Sequence, residues 1–378
     1  MAILHLSLDN VLSFNDFDID FSYPKKLKRS LIVNENIEEI PSFRYKKLNI
    51  FVGTNASGKT SFIKCIWTIL LFLHRKEREI IDRIINDKDR PSSILLDYVE
   101  KDSDDIFRLK RVIIKSINKE LLMSFSNIEL KDGDSYESKV NELNNIDSKL
   151  MNYIDCLNSF EVYTGWNVNL PAIEVGFDEV DLIKTSNEDE ESDYIQILNH
   201  VMMTLDSSIK NVSRSKDTDD AIVIDHKNIG KRVIQKGRKI QDIEYLSIGT
   251  KYGISLANVL FSIKYRRNGL YFIDELFSYV NSDIESSILS TMVSMLGPNE
   301  QIFFTTHNEN ILPLGFPFHS YYFMKKEEND ELTKISVVCA AEVENRNNVS
   351  VKSILDNDLL GVAPNVNKIF QIGDIKSN

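Results

Sequence analysis

Gly53-Thr54-Asn55-Ala56-Ser57-Gly58-Lys59-Thr60-Ser61 sets two glycines ahead of a lysine and a pair of hydroxyls. A polyphosphate chain is held by backbone N–H groups that point inward, and glycine lets the loop curl around it. A helix starting at the end of such a loop adds the positive end of its dipole. In that arrangement Lys59 reaches the β and γ phosphates, and the Thr60 hydroxyl holds Mg²⁺. Taken alone, the same string is an ordinary glycine turn. The apolar strand Lys47 to Val52 before it and the apolar run Phe62 to Leu73 after it favour phosphate binding.

Leu270-Tyr271-Phe272-Ile273-Asp274-Glu275 is an apolar strand that delivers two carboxylates at its end. Asp274 would sit behind the metal ion, and Glu275 would polarise an attacking water. A buried strand entering any polar loop looks the same, so this pair draws its weight from the phosphate loop. His307 follows the strand Gln301 to Thr305. On a strand beside the acidic one, its imidazole would reach a γ phosphate. Ser247 and Gly249, in Leu246-Ser247-Ile248-Gly249-Thr250, open an apolar helix that runs to Ile263. They form either a second anion-binding surface or a plain helix cap.

These groups are positioned by alternating strands and helices, which is α/β logic. Ile3 to Phe21 alternates like two strands of a hairpin, and the polar stretch 24–42, with Pro24 and Pro41, reads as an inserted loop. A charged helix is expected from 75, then strands at Ile94–Val99, Phe107–Ile114 and Leu121–Phe125. Weak helical spacing follows over 131–160, and an amphipathic helix over 195–212. The acidic run from Asp178 to Asp193 reads as a solvated loop or helix face. Beyond it come a strand at Ala221–Asp225 and a basic cluster of Lys231, Arg232, Lys236, Arg238 and Lys239. A helix at Ile284–Leu296 precedes the histidine strand.

The chain has 378 residues, of which 42% are hydrophobic, and a formal net charge of −12. That hydrophobic share can build a full core. The acidic balance argues against a surface coated for nucleic acid, although a local basic groove is compatible with it. Cys65, Cys156 and Cys339 are scattered without a CxxC pair, so a disulfide framework and a zinc ribbon are not expected. The N-terminus lacks an export signal, and the longest apolar run, Ile66 to Leu73, is far short of a bilayer span. A cytoplasmic protein without membrane partners is expected.

Four motifs in this order resemble the ABC-class ATPases that include SMC and RecF-type proteins. GTNASGKTS is similar to their Walker A, LSIGT to their signature, LYFIDEL to their Walker B and TTHN to their switch histidine. More narrowly, LSxGT resembles the AAA-family ATPases of bacterial anti-phage systems: abortive-infection and RloB-partnered modules, Septu, PARIS and the ATPase half of OLD nucleases. Arg346 and Leu359 to Val366 resemble their C-terminal arginine and end motif. The resemblance covers roughly 1–75 and 220–325.

What this resemblance implies is an ABC-type P-loop head: a mixed β-sheet flanked by helices, an N-terminal antiparallel β subdomain, and an inserted, mostly helical middle. The lobes would be 1–75 with Walker A, 76–220 as the inserted arm or lid, and 221–378 with signature, Walker B and histidine. ATP and Mg²⁺ are the implied cofactors. Gly53, Asn55, Ala56, Ser57, Gly58, Lys59, Thr60 and Ser61 would bind nucleotide, with Thr60 and Asp274 at the metal, and Lys59, Glu275 and His307 catalytic. Ser247 and Gly249 would contact nucleotide across a homodimer or higher even oligomer. The implied role is a defence ATPase that controls a separately encoded effector, since the roughly 70 residues after His307 would be too few for the nuclease domain that OLD proteins carry there. The alternative is a RecF- or SMC-like DNA-maintenance ATPase, with the basic cluster on DNA. Two departures stand out. No glutamine lies between Lys59 and Gln196, so Asn127 or another polar residue would replace the usual Mg²⁺-contacting one. The segment LFSYVNSD lacks the usual proline and histidine after Glu275.

Overall fold

The computed structural model describes residues 1–22, 26, 30–162, 165–169, 179–239, 243–275, 280–328, 333–343 and 350–356. Arg346, Leu359 to Val366, Asp178 and residues 276–279 of LFSYVNSD lie outside these.

The opening alternation forms β1 (Ala2–Asp9) and β2 (Phe17–Asp20), paired antiparallel with Leu8 opposite Phe17. Apolar side chains on one face of each strand are buried, as period-2 patterning requires. The buried strand β3 (Leu48–Val52) leads into the glycine loop. Helix α1 (Lys59–Arg75) starts at Gly58 and closes at Lys76, whose left-handed backbone donates its N–H to Phe72 O. Buried side chains on α1, including Phe62, Ile66, Ile69 and Leu73, each contribute roughly 1.5–3 kcal/mol of apolar burial. The short helix α2 (Arg78–Asp82) follows.

The helical share of the middle segment is smaller than expected. Its first half is β4 (Ser92–Lys101), β5 (Phe107–Ile117) and β6 (Glu120–Glu129), joined to the opening pair in a six-stranded antiparallel sheet, order β2-β1-β4-β5-β6-β7. The closing edge, β7 (Met151–Asn152), lies between two short helices, α3 (Tyr136–Asn144) and α4 (Tyr153–Leu157). Charges inside this sheet are paired: Arg111 bonds both oxygens of the fully buried Asp97 at 2.7 Å. Paired burial of this kind is what a low-dielectric interior demands.

The central sheet has the order β15-β14-β3-β13-β12-β8. It comprises β8 (Trp166–Asn169), β12 (Leu270–Asp274), β13 (Gln301–Thr306), β14 (Tyr321–Glu328) and β15 (Thr333–Cys339) around β3. All pairings are parallel except β14–β15. Strand β13, which ends just before His307, is thus inserted between the glycine-loop strand and the acidic strand. Phe21, Phe51, Phe62, Phe303 and Tyr322 knit this sheet to the N-terminal one, with Phe51 and Phe62 centroids 4.6 Å apart. The buried Gln301 side chain accepts from Ile3 N at 2.8 Å and donates to Lys46 O at 3.0 Å, crossing the same seam.

Against the expected span 195–212, helix α5 (Glu188–Leu205) starts seven residues earlier and ends seven residues earlier; Ile209–Arg214 is strand β9 instead. Asn187 caps α5 through Glu190 N at 2.9 Å, and four acidic residues occupy its first turn, where they complement the helix dipole. That assigns part of the acidic run to a helix end. Strands β9, β10 (Ala221–His226) and β11 (Gly230–Gln235) form a separate three-stranded sheet. Exposed Lys231 and Arg232 lie on its edge strand. Helices α6 (Ile248–Lys264) and α7 (Ser282–Met295) complete the lobe. Gly253 of α6 has no room for a side chain: an added Cβ would sit 2.8 Å from Met202 Sδ of α5. Among the described residues, no helix is long and apolar enough to cross a membrane.

Candidate active site

The loop between β3 and α1 has the backbone its glycines imply. Gly58 sits at φ 99° and Ala56 at φ 63°, the left-handed region that glycine enters freely and other residues enter at a cost. Gly53 is required for a different reason. A Cβ there would lie 2.6 Å from both the Ser57 Oγ and the Met324 carbonyl. The Ser57 hydroxyl is buried and has no hydrogen-bond partner among the described residues, a condition that costs free energy unless a ligand answers it.

Lys59 is 3% exposed. Its ammonium donates to Gly53 O at 2.8 Å and Thr54 O at 3.1 Å, and lies 3.2 Å from a Glu275 oxygen. The sheet order brings Glu275 there, because β12 ends beside the loop through β13. His307 Nδ1 lies 4.0 Å from the same carboxylate oxygen. Lys59, Glu275 and His307, far apart in the chain, therefore converge on one point.

Asp274 is fully buried, and its carboxylate accepts from the Thr305 hydroxyl on β13. The backbone N–H of Glu275 donates to the same Thr305 Oγ at 3.0 Å. Glu275 is held at φ 42°. A β-carbon-bearing residue there stores of order 1–3 kcal/mol of strain, and such strain clusters at functional sites.

Two cavities meet at Glu275. One, of about 270 Å³, is lined by Ser13, Ala56, Gly58, Lys59, Thr60, Ser61, Glu275, Lys326 and Ile335. The other, of about 420 Å³, is lined by Glu275, Val280, Ser282, Glu285, Thr306, His307, Asn308, Glu309 and Asn310. The first has the donor set a polyphosphate needs: a lysine, hydroxyls and a glycine loop at a helix start. The buried Ser57 hydroxyl and the side-chain-free cradle at Gly53 and Gly58 fit the same group. Thr60 and Asp274 are the hard oxygen donors suited to Mg²⁺. Among the described residues, no group of three or more His, Cys, Asp or Glu side chains is arranged to hold a metal on its own; phosphate and water oxygens would complete such a shell.

Some expected residues stand apart. Ser247 caps α6, accepting from Thr250 N at 3.1 Å, and Gly249 is buried behind it. Neither lines the two cavities. Asn127 does not replace the missing glutamine: it lies exposed on β6, accepts from Arg108 at 3.4 Å and lines neither cavity. The basic cluster is divided between the edge strand β11 and the residues after it, with Lys236 paired to Asp181 at 2.9 Å.

Three residues at the site were missed in the sequence. Ser13 and Lys326 come from the N-terminal turn and from β14. Glu285, on α7, is 4% exposed and accepts from Thr306 Oγ at 2.7 Å and Asn308 Nδ2 at 2.6 Å, clasping both flanks of His307. Burial raises its pKa, opposed by those two hydrogen bonds and by His307. The only sequence signal was an acidic residue on an otherwise apolar helix face.

With this geometry in place, comparison with known structures defines the class of fold. The SMC head bound to the C-winged helix domain of ScpA matches with a TM-score of 0.51 at 12% identity, covering 91% of this chain and all of that one. The Smc head domain with an extended coiled coil from Pyrococcus furiosus, bound to the C-terminal domain of ScpA, matches with a TM-score of 0.50 at 11% identity, covering 94% and 99%. The chain has the ABC-type P-loop head fold of these domains. No family model matches it, and no curated protein matches it in sequence.

Proposed function

We propose that this chain is a Mg²⁺-dependent ATPase head that closes on a second copy of itself around ATP. The observation that carries this reading is the convergence of Lys59, Glu275 and His307 beside a glycine loop whose buried Ser57 hydroxyl has no partner among the described residues. Lys59 exchanges its loop carbonyls and Glu275 for the β and γ phosphates. The N–H groups from Ala56 to Ser61 hold the phosphate oxygens. Released from Lys59, the Glu275 carboxylate accepts the proton of a water attacking the γ phosphate. His307 donates toward the γ phosphate from the far side of Glu275. The Thr305 hydroxyl fixes Asp274 and Glu275 together, so neither reorganises during reaction. Thr60 and Asp274 would hold Mg²⁺, which would supply positive charge to offset that of the phosphate oxygens. The exposed Ser247 cap presents an anion-binding helix start to the nucleotide of the second copy.

Within that class, the LSIGT signature supports a regulatory ATPase of an anti-phage defence system, acting on a separately encoded effector. The exposed basic residues on and after β11 favour a second reading, a DNA-maintenance ATPase. A tagged pull-down of Glu275→Gln from its native operon with ATP and Mg²⁺ separates them. A stoichiometric co-encoded toxin or nuclease supports defence. Duplex DNA without such a partner, released by salt and by charge reversal at Lys231 and Arg232, supports maintenance. Absence of ATP turnover by the wild-type chain would remove both.

A further inference from the structure

His307 is the exposed apex of a loop whose two flanks are fixed to one helix. Its side chain is 45% exposed, whereas Thr306 and Glu285 are buried. The Glu285 carboxylate gives a different oxygen to each flank. Oε1 accepts from the Thr306 hydroxyl at 2.7 Å, and Oε2 accepts from Asn308 Nδ2 at 2.6 Å. Ser282 lies three residues earlier on the same face of α7. Its hydroxyl accepts from Asn310 Nδ2 at 3.0 Å and adds a third tie.

These bonds support one another. The Thr306 hydroxyl also accepts from Asn308 N at 2.9 Å. Asn308 Oδ1 accepts from Asn310 N at 3.0 Å, which caps the 3₁₀ turn Glu309–Leu314. Helix α7 is itself fixed at its start by Asn281, whose side chain accepts from Asp283 N at 2.8 Å. Because α7 follows Glu275 in the chain, one short stretch carries both the candidate base and the clasp on the histidine loop. That arrangement accompanies the 4.0 Å approach of His307 Nδ1 to Glu275. The carboxylate is needed for its two acceptor oxygens. A glutamine keeps one of them and so meets only one of the two donors at these positions.

We propose that Glu285 is the positioning residue for His307 in ATP hydrolysis. It holds the imidazole in register with Glu275 and the γ phosphate without touching the nucleotide itself. The assignment rests on the ATPase reading and deepens it. Its effect runs through His307. Loosening the clasp therefore slows the step in which the imidazole takes part, and leaves the hold of Lys59 and the glycine loop on the phosphates unchanged.

The test is a double-mutant cycle on the full chain, read by single-turnover ATP hydrolysis with Mg²⁺ and by ATP titration. Wild type, Glu285→Gln, His307→Ala and the double variant are compared. Asn308→Ala, alone and with His307→Ala, breaks the same clasp from its part-buried side. It keeps the test decisive if Glu285→Gln folds poorly. Glu285→Gln and Asn308→Ala are each expected to slow hydrolysis roughly tenfold, with ATP affinity within about twofold of wild type. In the His307→Ala background, each is expected to change the rate by less than about twofold, because the group they position is gone. Losses that multiply in the double variants would show a general structural role and overturn the assignment. Wild-type hydrolysis in folded Glu285→Gln would also overturn it, and either result leaves the ATPase reading standing. No hydrolysis by the wild-type chain overturns both.

Discussion

Glu275→Gln should move binding and turnover in opposite directions. The carboxylate lies 3.2 Å from the Lys59 ammonium and is partly exposed. Coulomb's law gives about 1.3 kcal/mol for that pair in bulk water and about 5 kcal/mol at an effective dielectric of 20. Partial exposure puts the net value near the lower figure. The nucleotide must take Lys59 away from Glu275, so removing the negative charge should tighten ATP binding about fivefold to tenfold. The same substitution removes the proton acceptor, and positioned general bases contribute about 10²–10⁴-fold to rate. The assay is ATP affinity by titration, paired with single-turnover hydrolysis on the same preparation. Tighter binding with hydrolysis slowed at least about a hundredfold fits the assignment. A partly unfolded variant would lose both together. Hydrolysis at the wild-type rate would refute the role of Glu275, and weakened binding would refute the competition for Lys59.

Other outcomes follow from the same geometry. Glu285 has a folded pKa raised by burial above its ordinary value of 4.5. Above that value the folded state binds more protons than the unfolded chain, so this group lowers stability as pH rises through its folded pKa. Glu285→Gln should flatten the fall of Tm between pH 4.5 and the folded pKa; parallel Tm curves for the two proteins would sink this. The glutamine also offers N–H groups to the Asn308 amide in place of a carboxylate oxygen, so the His307 loop should loosen and kcat fall with KM little changed. Lys59→Ala should lose nucleotide binding and Ser247→Arg should lose turnover, yet mixing the two should restore about one working site per closed pair if Ser247 acts on the second copy's nucleotide. Mixed samples no more active than the separate variants would remove the shared-site arrangement.

The stretches 47–61, 270–275 and 301–307 could be read in advance because strand, turn and helix signals there are local. An apolar strand, a glycine loop and an apolar helix need only near neighbours to declare themselves. The middle was harder. Strands β4 to β6 showed their alternation, but the short helices around them carry little periodicity, and helical content was overstated. Helix α5 began earlier than its apolar spacing suggested, because its first turn is made by the Asn187 cap and acidic residues rather than by apolar contacts. Asn127 was a reasonable polar substitute by composition, yet pairing on β6 turns it toward Arg108.

By itself, the sequence determined which groups could do chemistry: a glycine loop with Lys59 and Thr60, paired carboxylates at Asp274 and Glu275, a histidine after a strand and a capped helix at Ser247. Only the tertiary structure decided how they meet. Inserting β13 between β3 and β12 sets Thr305 against Asp274 and His307 against Glu275. Packing of β14–β15 on Gly53 and Gly58 brings Lys326 to the loop, and α7 brings Glu285 to the histidine. The physical reason is that sheet order and side-chain burial come from contacts between residues far apart in the chain, whereas motif spacing records only neighbours along it.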